Sequence, residues 1–156
     1  KICTYLENKF QLEPEQAQIA ANYCQGNIGK AIRFASSSDF IEMKNQVLKL
    51  LKNLDSMDIA SIIDTIKEFS THKNDINDYL DLMLLWYRDV LMFKVTKDAN
   101  LLLYSDEYSA ISEQATKRDY ENIENIIAAI DKAKVRLKAN VNFDVTIELM
   151  ILAMKD

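Results

Sequence analysis

Few side chains in this chain are of the types that do chemistry. The single histidine, His72, stands in a polar break, His72-Lys73-Asn74, with no cysteine or second histidine near it in sequence. A zinc site needs several convergent N or S ligands, and a histidine triad needs a nucleophile and an orienting carboxylate, so His72 supports neither and reads as an ordinary exposed side chain. Asp75, Asp78 and Asp81 recur at every third position and are expected to share an acidic edge. Side chains along one straight helix cannot wrap a cation, so that edge reads as a solvated face rather than a metal site. Lys132, Lys134, Arg136 and Lys138 form a basic tract, but two-residue steps turn about 200° on a helix and split the charges onto opposite faces. Near a helix C-terminus they suit the macrodipole, and at most a minor phosphate contact is left to them.

The segment Gly26-Asn27-Ile28-Gly29 has the GxxG spacing with which one single-strand RNA module clamps a backbone. That module needs flanking strands, and helical patterns flank the segment here. No GxxxxGKS/T occurs, so the chain cannot assemble a phosphate-cradling loop, and no paired cysteines occur for a zinc ribbon. Cys3 and Cys24 both lie inside helical patterns and read as reduced, half-buried thiols rather than a bridge. No catalytic, cofactor-binding or metal-ligating residue is assigned, and the chain is expected not to be an enzyme.

What must position these residues is a set of helices. Two glycines and one proline stand in 156 residues, where average usage would give about eleven and eight. Apolar residues recur at three-and-four spacing almost from end to end, interrupted at good capping residues. The pattern predicts helices over 2–10, from Pro14 to Gly26, and over about 28–35, then a polar Ser36-Ser37-Ser38-Asp39 stretch that marks a domain boundary. Helices follow over about 40–54, 57–70, 76–94 and 106–116, with a loop at Asp98 to Asn100. The next has the cleanest stripe, Tyr120, Ile123, Ile126, Ile127, Ile130, Ala133 and Leu137. Asn140 suits a left-handed C-terminal cap and Asn142 an N-cap for the last helix.

Two helices carry more apolar surface than one stripe needs. The second half of the helix over 76–94 is apolar nearly all round, and the last helix is apolar on more than one face. Trp86 and Tyr87 on the first read as core with interface anchoring as the functional alternative. With Phe143, Ile147, Met150, Ile151 and Met154 on the second, they make the candidate interface. The apolar fraction of 49% and charged fraction of 28% are those of a globular domain rather than a disordered segment. No apolar run approaches the roughly 20 residues of a membrane helix. Residues 1–39 hold four positive and four negative side chains and the remainder fifteen and twenty, a balance that argues against extended phosphate binding. The chain starts at Lys1 with no basic-then-apolar leader, so it is expected to be a cytoplasmic piece of a longer protein.

Residues 19–32, ending Cys24-Gln25-Gly26-Asn27-Ile28-Gly29-Lys30-Ala31-Ile32, resemble the end of the lid in the clamp-loader AAA+ family. There a helix, a glycine turn and a second helix of the form G-S-x-R-D-A-L carry the sensor-2 arginine that touches ATP. In that register Gly26 is the turn glycine, Ala31-Ile32 match the closing pair, and Gly29 stands where the arginine would be. That departure resembles the non-ATPase stator branch of the family rather than its ATP-hydrolysing gamma/tau type. The run from Ile130 to Asn142, followed by an apolar helix with Glu148-Leu149-Met150, is similar to the family's closing segment, and Trp86-Tyr87-Arg88-Asp89 to an aromatic string there.

The resemblance implies an all-α chain: the end of a small helical AAA+ lid over 1–38, then a helical-bundle collar domain over 39–156. It implies gamma/tau and delta subunits as partners in a circular pentamer, with the sliding clamp and primed DNA met only through the complex, and no cofactor. The alternatives are a gamma/tau-type collar, which would require arginine at the Gly29 position, and an unrelated helical protein-interaction domain. A nucleic-acid-binding helical domain would demand a basic stripe, and a small helical enzyme convergent polar groups in a pocket.

Overall fold

The computed structural model describes residues 38–155. The three helices expected before residue 36, with Cys3, Cys24, Gly26 and Gly29, lie outside the described residues. Among the described residues every regular element is helical: α1 (Ser38–Asn53), α2 (Ile59–Ser70), α3 (Ile76–Thr96), α4 (Tyr108–Lys117), α5 (Tyr120–Lys138) and α6 (Phe143–Lys155). One-turn 3-10 segments at Leu54–Ser56, Lys73–Asp75, Ala99–Leu101 and Ser105–Glu107 join them. The all-α expectation is met. Boundaries differ by up to two residues: α1 starts at Ser38, α2 only at Ile59, α3 runs on to Thr96, and the helix expected from Asp106 opens with the 3-10 turn and becomes α-helical only at Tyr108.

The starts and stops follow from single side chains. Asp58 accepts the Ser61 N–H at 2.8 Å and opens α2, Asp119 accepts the Asn122 N–H at 2.8 Å and opens α5, and Asn142 accepts the Val145 N–H at 3.0 Å and opens α6. Each such cap stabilises its helix by about 1 kcal/mol. At the end of α5 the chain turns through Asn140 at φ 60, with Val141 N–H donating to Arg136 O at 3.0 Å and Asn140 N–H to Leu137 O at 3.1 Å. This is the paired closure that a left-handed residue permits, as expected for Asn140. α3 ends at Lys97, also left-handed at φ 57, whose N–H donates to Phe93 O at 2.8 Å.

α3 is the central helix, which explains why its sequence is apolar nearly all round. It packs against α1, α4 and α5, and Leu80, Leu82, Met83, Trp86, Tyr87 and Val90 are fully buried. Removing each large aliphatic side chain from water contributes about 1.5–3 kcal/mol. α6 lies between α2 and α5, and its Ile147, Met150, Ile151 and Met154 complete the core with Ile123, Ile126 and Ile130 of α5.

Polar groups inside this core are tied to distant helices. Trp86 Nε1 donates to Gln114 Oε1 at 3.3 Å while Gln114 Nε2 donates to Leu51 O at 3.2 Å, so one glutamine of α4 links α3 to α1. Tyr104 Oη donates to Leu82 O at 2.9 Å and Lys94 Nζ to Ala115 O at 2.9 Å. Each of these bonds satisfies a group whose burial alone would be unfavourable.

Candidate functional site

The residues singled out for chemistry are scattered. His72 is not freely exposed: it is half-buried, with its ring 5.6 Å from that of Tyr79 on the first turn of α3, because the turn after α2 folds back onto that helix. Among the described residues no group of three or more His, Cys, Asp or Glu side chains is placed to hold a metal ion. The acidic edge is only partly a solvated face. Asp75 is exposed, whereas Asp81 pairs with Lys134 of α5 and Asp78 is half-buried beside them. Burial first, and then the charge of Asp81, push the Asp78 carboxyl up to about 6 against the pull of Lys134.

The basic tract is dispersed as its spacing required. Lys134 turns inward to Asp81, while Lys132 and Lys138 point to water on other sides of α5. The strongest charge cluster joins α1 to α4 and α5 instead. Arg118, buried, donates from Nη1 to Asn122 Oδ1 at 2.6 Å and from Nη2 to Asp55 Oδ1 at 3.1 Å, and Lys117 pairs with the other oxygen of Asp55. Desolvation raises the Asp55 pKa, but Lys117 and Arg118 outweigh it and hold the carboxyl below its ordinary value. These groups staple helices together.

Among the described residues, troughs open on the surface beside α1. One of about 360 Å³ lies between α1 and α2 and is lined by Gln46, Leu50, Met57, Asp64, Glu68 and Phe69 among others. Another of about 370 Å³ lies between α1 and α4, where Lys52 pairs with Glu107 and Asp55 with Lys117. In the first, the Ser56 and Thr65 hydroxyls donate to the backbone, to Asn53 O and Ser61 O at 2.9 Å each, and in the second those charged side chains pair with one another.

The structure places the candidate interface residues mostly inside. Trp86, Tyr87, Ile147, Met150, Ile151 and Met154 are buried in the core, and Phe143 is half-buried with Lys73 Nζ 5.3 Å from its ring centre. What the last helix offers outward is a different set, Val145, Leu149 and Leu152. The signal for it was present in the sequence: these three fall at i, i+4 and i+7, opposite the buried four. A second residue that periodicity did not single out is Asp89, buried in α3, whose carboxylate accepts the N–H groups of Leu103 at 3.0 Å and Tyr104 at 2.8 Å.

No family model and no solved structure matches the chain. The chain is similar to DNA polymerase III subunit delta′ of Bacillus subtilis (strain 168), with 28% identity over 148 residues that cover 93% of this chain and 44% of that protein. It therefore spans less than half the length of the curated relative it matches, and the part matched is that protein's C-terminal part. The resemblance drawn from the Gly26–Ile32 segment and from the closing residues is borne out by this similarity.

Proposed function

We propose that this chain is the C-terminal assembly region of a delta′ subunit of the DNA polymerase III clamp loader. In this reading residues 39–156 form the collar that joins the subunit to gamma/tau and delta, and residues 1–38 close a lid that does not hydrolyse ATP. The joined loader places the sliding clamp on primed DNA, which the chain meets only through the complex. The observation that carries the proposal is the similarity to delta′ along 93% of the chain. Two features support it: the helical bundle formed by the described residues, and Gly29 in place of an ATP-sensing arginine. The gamma/tau alternative finds no such support at that position.

The test is light scattering on a sizing column, with the chain run alone and then mixed with gamma/tau and delta from the same source. Co-elution in a defined stoichiometry is the expected result. Elution as an indifferent monomer would overturn the proposal.

A further inference from the structure

Among the described residues, two buried side-chain polar atoms have no hydrogen-bond partner in the protein, Tyr87 Oη and Arg118 Nε. Tyr87 is fully buried and Arg118 is 6% exposed. A buried donor left unpaired is unfavourable, and folded proteins leave few of them so. Here two occur together. Tyr87 stands on α3, Asp55 in the 3-10 turn after α1, and Arg118 in the connection between α4 and α5. Burial pushes the Tyr87 hydroxyl above its ordinary pKa, Arg118 pulls it down and Asp55 pushes it up, so the hydroxyl lies within reach of both charges.

Neither atom is free to turn elsewhere. The planar guanidinium of Arg118 is held at both ends, from Nη1 to Asn122 Oδ1 at 2.6 Å and from Nη2 to Asp55 Oδ1 at 3.1 Å, which fixes the direction of its Nε–H. The Tyr87 ring is locked in the core, and only its O–H bond rotates.

We infer that Tyr87 Oη and Arg118 Nε bound a binding site for one internal water molecule, which accepts the Arg118 Nε–H and the Tyr87 O–H. Charge selects water over an ion. An anion would bring a second negative charge beside Asp55, and a cation would face Arg118 and Lys117, whereas a neutral molecule with two lone pairs meets two donors without upsetting the pairing. The hydrogens of the water have an acceptor in the Asp55 carboxylate. That group takes Arg118 on one oxygen and Lys117 on the other and keeps lone pairs to spare, since a carboxylate offers about four. Two donors and one acceptor make the roughly three partners of a buried water. The bridge carries the network of Asp55, Arg118 and Asn122, which links the end of α1 to α5, on to the central helix α3.

The test pairs a high-resolution crystal structure of the chain with the melting temperature of Tyr87→Phe, which removes the hydroxyl and keeps the ring. Wild type is expected to show density for a water within hydrogen-bond distance of both Tyr87 Oη and Arg118 Nε. The variant is expected to melt roughly 5 °C lower, because phenylalanine takes one partner from the water and weakens its hold on Arg118. In a dry site the hydroxyl is only a burial cost, so a variant that melts at or above wild type overturns the inference. Wild-type density with no water between the two atoms, or with either atom bonded directly to another protein group, overturns it whatever the melt. If the variant fails to fold, the wild-type density decides alone.

Discussion

Replacing Asp89 with asparagine keeps the size of a buried side chain and removes its charge and one acceptor. The two carboxylate oxygens each accept a backbone N–H, from Leu103 at 3.0 Å and from Tyr104 at 2.8 Å, and so hold the connection between α3 and α4. Asparagine has one carbonyl oxygen, so one of the two N–H groups is left facing an amide donor. A bond to a charged acceptor contributes about 1.5–3 kcal/mol, and a stranded buried N–H costs about 1–3 kcal/mol. Against this, burial raises the Asp89 pKa although the Tyr104 and Leu103 N–H groups lower it, so the ionised form carries a desolvation cost that asparagine relieves. Burial already outweighs the two N–H bonds to the charged form, so what asparagine loses is the one stranded N–H, partly offset by the relieved charge, and the net destabilisation at pH 7 is about 1 kcal/mol.

Urea unfolding followed by circular dichroism measures it, with a fall in Tm of roughly 5 °C as the thermal counterpart. Amide exchange at Leu103 and Tyr104 should accelerate selectively, because Tyr104 also anchors its ring 5.5 Å from that of Trp86. The pH dependence has a defined sign. An acid whose folded pKa is raised gives stability that is fully present below its unfolded value of 3.8 and is lost as pH rises through the folded value, so the gap between wild type and variant narrows with rising pH. A variant within about 0.5 kcal/mol of wild type across that range, with exchange at Tyr104 unchanged, would refute the tether.

Asn140→Ala should destabilise the chain by about 1 kcal/mol, because alanine resists the left-handed backbone at φ 60, whereas Asn140→Gly should be neutral or slightly stabilising. Equal melting temperatures for the two would contradict the cap. Asp78→Asn should stabilise the protein at pH 7 by on the order of 1 kcal/mol, discounted for the half-exposed site, since wild-type stability is lost as pH rises from 3.8 to about 6. The two proteins should converge below pH 3.8, where Asp78 is protonated folded or unfolded. A wild type more stable than the variant at pH 7 would show that the contacts of Asp78 outweigh its burial.

Helix positions and their ends were legible because they depend on residues within one or two turns. The stripe of α5, the left-handed Asn140 and the N-cap Asn142 all act through local backbone geometry, and the scarcity of glycine and proline leaves little else for the chain to form. The apolar surplus on α3 and α6 was legible too, but not its assignment. A helix apolar nearly all round carries no angular signal, so which side turns inward is decided by the neighbours that close over it. Packing made α3 the centre, buried Trp86 and Tyr87, and turned Ile147, Met150, Ile151 and Met154 inward, leaving Val145, Leu149 and Leu152 outside. The same holds for polar pairs. Lys134 with Asp81, Arg118 with Asp55 and Gln114 with Leu51 join residues more than fifty positions apart, and His72 meets Tyr79 only because a turn folds back onto α3. Among the described residues, sequence alone determined that the elements are helices and where most of them begin and end, because hydrogen bonds along a helix are local. The tertiary structure decided which apolar side is core and which stays exposed, because burial is a property of the neighbours and not of the residue.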